Sequence, residues 1–307
     1  MQELEITHIP PLAPGQQSLL DFHSVVNVLN VLQGELAVLG CVLAGDERLM
    51  GRGLAHCDEV LASLTDRARA LRHATGIEAM EQEIFAEVAE KVGGRSTNDP
   101  DHEEAMGNLR SAFAILKVRA RELLARAETL ERWETHDVAA LRRNFVDVFA
   151  AIERNSHGRY RILYNAALQQ PDDYYVDFKV ESVDADRLRM PPVLQDVMRD
   201  LIANARKYTK PGGHITAALH AGADGLRFVV SDDGCGIPAE EIAAVVEFGK
   251  RASNVGEVRT LGGGFGLTKA FLVTKQFGGR FWIASQVGRG TLVRLWIPRP
   301  ADGANPA

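Results

Sequence analysis

Apolar residues recur at steps of three and four through the first 133 residues. Phe22, Val25, Val26, Leu29, Leu32, Leu36 and Leu39 make one stripe, which predicts an amphipathic helix over about residues 17–44. His23, Asn27, Asn30 and Gly34 follow the same spacing on a neighbouring polar face. Leu49, Leu54, Cys57, Leu61, Leu64 and Leu71 predict a second helix over about 47–73, and a third is expected over about 77–92. Residues 93–100, rich in Gly, Asn and Pro, read as a loop. Met106, Leu109, Phe113, Leu116, Leu123, Ala127 and Leu130 predict a long fourth helix over about 101–133. Strand patterns are almost absent before residue 158, so the N-terminal half is expected to be all α, a helical hairpin or four-helix bundle.

After Trp133 the pattern changes. Val138, Leu141, Phe145, Val148, Phe149 and Ile152 mark another amphipathic helix. Strand-like runs follow at 160–166, 174–181, 214–219, 226–231, 280–285 and 291–297. Pro191-Pro192 opens a helix to about residue 207, because proline is tolerated in a first helical turn. Further helices are expected at 240–248 and 267–277. Mixed helices and strands with an antiparallel sheet predict an α+β sandwich. The expected organisation is a flexible tail over 1–16, a helical domain over 17–134, the α+β domain over 135–298 and a second tail over 299–307.

Composition adds limits. The 307 residues suffice for two domains with their own cores, and 46% hydrophobic with 25% charged residues fits a soluble globular protein. A net charge of −6 argues against a dedicated nucleic-acid surface. No apolar run is read as long enough to span a bilayer, and the N-terminal stretch is acidic and Pro-rich, unlike a signal peptide. The expected location is cytoplasmic. Cys41, Cys57 and Cys235 have neither metal-ligand nor redox-pair spacing.

The candidate chemistry begins at Leu261-Gly262-Gly263-Gly264-Phe265-Gly266-Leu267, which opens a helical run. Glycines allow close backbone approach, and the helix N-terminus offers free N–H groups to phosphate. Alone, this stretch reads equally as an ordinary Gly-rich loop. Two others precede it: Asp200-Leu201-Ile202-Ala203-Asn204-Ala205-Arg206-Lys207-Tyr208-Thr209, and Ser231-Asp232-Asp233-Gly234-Cys235-Gly236-Ile237-Pro238. In chain order the three resemble the N box, the G1 box and the G2 box of the Bergerat ATP fold. That fold is shared by the DNA gyrases, the Hsp90 chaperones, the sensor histidine kinases and the MutL mismatch-repair proteins. The spelling from Asn204 to Thr209 is most similar to the histidine kinases, and the resemblance covers residues 190–298.

The resemblance implies ATP and Mg²⁺ as cofactors. Asn204 would hold Mg²⁺ and Lys207 would reach a phosphate. Tyr208 would cover the adenine. Asp232 would accept the adenine amino N–H while Gly234 and Gly236 let the backbone pass, with Thr291 nearby and Asp233 the lesser candidate. Gly262, Gly264, Gly266 and Leu267 would form the phosphate cradle. The loop between Ile237 and Gly262, with Phe248, Lys250, Arg251 and Arg259, would be a lid. Phe248 resembles the phenylalanine of the kinase F box, or else anchors a helix in the core. The bland alternatives are a capping Asn204, a turn acid at Asp232 and a strand threonine at Thr291.

Phe22-His23-Ser24-Val25-Val26-Asn27-Val28-Leu29 resembles the H box of the same family. It implies His23 as phospho-acceptor through its neutral imidazole, and Asn27 as a residue that places water for dephosphorylating a partner. Ser24 departs from the usual acid, and Val28 from the usual proline. A plain surface histidine is the alternative. Asp200, one turn before Asn204, reads as a general base or as a further Mg²⁺ partner. The expected function is a cytosolic two-component histidine kinase that autophosphorylates His23 and passes the group to an aspartate of a response-regulator receiver domain. The alternatives are a degenerate kinase acting as phosphatase or ATP-binding scaffold, and a serine kinase or ATPase using Asp200. The helix of 17–44 would pair with that of 47–73 or with that of 101–133, and a homodimer through the helical domain or a one-chain bundle would follow.

Overall fold

The apolar positions sort into two separate hydrophobic cores. In the computed structural model, which describes residues 1, 3–93, 100–128, 133–154, 160–255 and 264–300, they belong to two compact units. One unit is built from residues 11–129, the other from residues 1–10 and the chain beyond residue 130.

The first unit is helical: α1 (Pro14–Asp21), α2 (His23–Ala44), α3 (Gly51–Ser63), α4 (Arg67–Thr75), α5 (Ile77–Val92) and α6 (Pro100–Glu128). Leu29, Leu32, Leu36 and Leu39 of α2 are fully buried, as are Leu109, Phe113 and Leu116 of α6. Each such side chain contributes about 1.5–3 kcal/mol by leaving water. Asn108 of α6 donates to Glu35 of α2 at 3.4 Å, and α6 is the principal partner of α2. Of the two hairpins open from sequence, the structure therefore takes the one with the later helix.

Two expected helices are broken. The run over 17–44 divides at Phe22, whose backbone (φ −99°, ψ 8°) leaves the helical region while its ring is buried in the core. The run over 47–73 divides at Asp66, which adopts an extended backbone and caps α4 by accepting the Arg69 N–H at 3.1 Å. A further correction concerns α2. Its 22 residues are long and apolar enough, by length and composition, to cross a membrane, contrary to the expectation that no run reaches that measure. The same leucines that make it apolar are the ones buried in the helical core.

The second unit is a seven-stranded sheet in the order β1-β8-β9-β7-β6-β4-β3. These strands are β1 (Glu3–Ile6), β3 (Ile162–Leu163), β4 (Tyr174–Ser182), β6 (His214–Ala221), β7 (Gly225–Asp232), β8 (Arg280–Gln286) and β9 (Gly290–Pro298). A two-stranded sheet pairs β2 (Glu134–Asp137) with β5 (Arg187–Met190). Buried Ile215, Ala217, Leu219 and Ala221 of β6 alternate with more exposed neighbours, as a strand with one covered face requires. The helices α7 (Val138–Arg154), α8 (Pro192–Tyr208) and α9 (Gly266–Gln276) share the resulting core. The two units thus have the expected classes, all-α and α+β. The sheet is mixed rather than antiparallel, because β3, β4 and β6 run parallel.

The expectation of a flexible tail over residues 1–16 is corrected, and with it that of a wholly α N-terminal half. β1 pairs antiparallel with β8, Glu3 facing Ala284 and Ile6 facing Phe281. Ile6 and Ile9 are buried in the sheet core, Glu5 pairs with Arg280 at 2.9 Å and Glu3 with Arg294 at 2.7 Å. A four-residue strand offers too short an alternation to be read locally. The helix expected at 240–248 is replaced by two 3₁₀ turns, Ala239–Glu241 and Ala244–Val246, in a stretch confined between Pro238 and Gly249. Beyond residue 300 the expected C-terminal tail lies outside the described residues.

Candidate nucleotide site

α8 and α9 meet at their functional ends. A Cβ added to Gly266, the first residue of α9, would stand 2.6 Å from Asn204 Nδ2, so a larger residue here would make the Asn204 amide or α9 shift. The start of α9 is also tied to the stretch around Phe248. Phe248 stacks on Phe265 at 4.7 Å with 28° between the rings, and Gly264 lies against the backbone of Gly249 and Lys250. This pairing gives Phe248 a packing role against the residue that precedes α9. Leu267 packs, partly buried, against the sheet core. Gly262 and Arg259 lie outside the described residues.

The end of β7 supplies the acid. Asp232 Oδ1 accepts the N–H of Gly234 at 2.9 Å and of Thr291 at 3.2 Å. Burial pushes its carboxyl up to about 6, with those two N–H groups pulling the other way. A Cβ on Gly234 would come within 2.4 Å of the Tyr208 carbonyl, so the chain after Asp232 runs hard against the end of α8. The Gly236 carbonyl accepts from Asn254 Nδ2 at 2.9 Å. Asp233 instead accepts from the His214 N–H at 2.9 Å and faces its ring at 3.1 Å, which ties it to β6. The last turn of α8 carries two cations, Arg206 and Lys207. Lys207 is pushed down to about 8, first by burial and then by the charges of Arg251 and Arg206. Its ammonium sits 5.2 Å from the Tyr208 ring, whose phenol is itself pushed up by burial. An anion brought to Lys207 relieves this repulsion.

One segment thus gathers an acid able to accept an amino group, a neutral amide against a helix N-terminus and a partly dry cluster of cations. Residues 190–301 match the family described as histidine kinase-, DNA gyrase B- and HSP90-like ATPase. The chain carries a domain of that ATPase family. The adaptive-response sensory kinase SasA of Synechococcus elongatus is 29% identical over 199 residues, covering 63% of this chain and 49% of that protein. The histidine protein kinase DivJ of Caulobacter vibrioides is 36% identical over 117 residues, covering 38% and 19%. The sensor histidine kinase WalK of Bacillus subtilis is 32% identical over 132 residues, covering 42% and 20%. The chain therefore spans about half the length of these relatives, or less. A solved mycobacterial sensor histidine kinase, MprB, is 21% identical with a TM-score of 0.39, covering 55% of this chain and all of that one.

Within the ATPase domain, two placements depart from what the sequence suggests. Asp200 Oδ2 is held at 3.0 Å by the buried ammonium of Lys269, an ion pair that neither reading of Asp200 includes. Ser285 carries no candidate role in the sequence, yet its hydroxyl donates to the Gly290 carbonyl at 2.9 Å, accepts the Ile237 N–H at 2.8 Å and touches Thr291 Oγ1 at 2.9 Å. It clamps β8, β9 and the loop after β7 around Asp232. A hydroxyl directly after the apolar run from Phe281 to Ala284 is the one signal for it in the sequence.

His23 and Asn27 belong to the helical unit. His23 is the first residue of α2 and is only 7% exposed, so the surface-histidine alternative does not describe it. Ser24 and Asn27 are half-buried.

Proposed function

We propose that this chain is the kinase core of a two-component sensor histidine kinase. Its ATPase domain binds Mg²⁺-ATP, the γ-phosphoryl group passes to His23, and from there to an aspartate on a response-regulator receiver domain. The observation that carries the reading is the close seating of Asn204 of α8 on Gly266 at the start of α9. The donor set fits the ligand. Asp232 accepts the adenine amino group, Tyr208 flanks the base, and Lys207 with the first turn of α9 receives phosphate oxygens. The Asn204 amide suits Mg²⁺, which takes few protein oxygens and shares the phosphates; when bound it neutralises charge on the transferring group. ATP as substrate puts the domain in the cytoplasm.

Exposed Val38 of α2 and Ile115 and Val118 of α6 support a homodimer through the helical unit, in which a second copy covers them. Incubation with γ-labelled ATP tests the reading. An acid-labile, alkali-stable label that disappears in His23→Ala is expected; a label that survives in His23→Ala overturns His23 as acceptor.

The burial of His23 and the serine beside it favour a second reading, in which the chain binds ATP but serves as a response-regulator phosphatase or scaffold through Asn27. A strong gain of labelling in Ser24→Glu is the outcome expected under that reading, and an unchanged level rejects it.

A further inference from the structure

Lys269 is the residue of α9 that its apolar surroundings explain least. It is 4% exposed, and lysine is almost never so buried unless its charge is paired. Its Nζ lies 3.0 Å from Asp200 Oδ2 and 3.7 Å from Asp196 Oδ2, while Arg199 meets Asp196 Oδ1 at 3.0 Å. Two acids and two bases thus join α8 to α9 inside the ATPase domain. The bridge has a definite address. Asp200 stands one turn before Asn204 on α8, and Lys269 three residues after Gly266 on α9. It therefore lies one helical turn from the Asn204–Gly266 contact on both helices.

An apolar contact at this place would let the helices slide past one another. A buried, hydrogen-bonded ion pair accepts only one register, because any slip leaves a charge uncompensated. We propose that Lys269 is a positioning residue: its bridge to Asp200 and Asp196 holds the first turn of α9 on α8 so that Asn204 presents its amide to a metal–nucleotide complex. The inference rests on the Mg²⁺-nucleotide reading of the site. It also gives Asp200 a role, that of an anchor for Lys269.

Titration calorimetry of the whole chain with ADP, with and without Mg²⁺, tests this. The proteins compared are wild type, Lys269→Met, Lys269→Arg and Asp200→Asn. Supporting groups around a metal site typically change metal affinity by tenfold or more, so Lys269→Met is expected to lose about tenfold of the Mg²⁺-dependent gain in affinity while Mg²⁺-free binding stays within about twofold. Lys269→Arg should restore most of that gain. Asp200→Asn, which leaves Lys269 paired with Asp196 and guards against a failure of Lys269→Met to fold, should move the same way by less. Equal losses with and without Mg²⁺, or no loss in either variant, overturn the proposal. Absence of ADP binding by the wild type overturns the site reading itself, and this inference with it.

Discussion

A Cβ added at Gly34 or Gly107 in the helical unit would meet nothing within 4 Å, whereas one added at Gly266 in the ATPase domain would stand 2.6 Å from Asn204. The two regions reach their specificity differently. The helical unit is held by interchangeable mass: fully buried leucines on α2 facing Leu109, Phe113 and Leu116 on α6. Exposed Gly34 and Gly107 are tolerated rather than required, and Gly40, where a Cβ would stand 2.2 Å from the Asp46 carbonyl, is the exception near the end of α2. In the ATPase domain the decisive residues are those that keep atoms out, at Gly266 against Asn204 and at Gly234 against the Tyr208 carbonyl. A region of the first kind is broken by removing volume, one of the second kind by adding it.

Removing volume should give the largest effect. Leu32→Ala, at a fully buried position, is expected to cost about 2–5 kcal/mol. Chemical denaturation should show the loss in the helical unit, with ADP affinity of the ATPase domain retained. A parallel collapse of ADP binding would erase the contrast between the regions.

Adding volume comes next. Gly266→Ala forces the Asn204 side chain or α9 to shift, and overpacking of this kind costs about 1–3 kcal/mol. The expected outcome is a loss of ADP affinity with little change in the helical unit's melting. Gly107→Ala is the matched control, since it adds a methyl to open space on α6 and gains about 1 kcal/mol of helix propensity. Equal behaviour of the two alanine variants in calorimetry would sink the close-approach argument.

The smallest effect is one of pH, and it belongs to the ATPase domain alone. Asp232, pushed up to about 6 by burial, must be ionised to accept an amino group. Lys207, pushed down to about 8, must be charged to hold phosphate. ADP affinity should therefore fall as pH drops below about 6, where the carboxyl protonates, and fall again above about 8, where the ammonium is lost. Lys207→Gln should flatten the alkaline limb and leave the acid limb in place. An alkaline limb that persists in this variant would assign it to another group.

The same contrast explains what is legible in the chain. The spacing predicts a third helix over 77–92 and α5 spans Ile77–Val92, because its stripe is local and uninterrupted. The three glycine- and acid-bearing boxes are legible for a similar reason: each lies within about ten residues and carries its own chemistry. What escapes a local reading depends on distant partners. The Lys269–Asp200 bridge joins residues 69 apart, and in the sequence Lys269 is one more cation in a helical run. The turn at Phe22 and the burial of His23 follow from how α1 enters the helical core, which helical spacing does not encode. The 3₁₀ turns after Pro238 keep the apolar residues of a helix without its length.

β1 carries one more consequence, which concerns synthesis. Glu5 meets Arg280 across 275 positions, so β1 cannot be paired until β8 has been made. The helical unit, made wholly of the intervening residues, can fold in that interval, as domains generally do in order of synthesis. The sheet edge along β8 is sealed only by this long-range pairing, and such a closure is the slow step expected of the domain's folding.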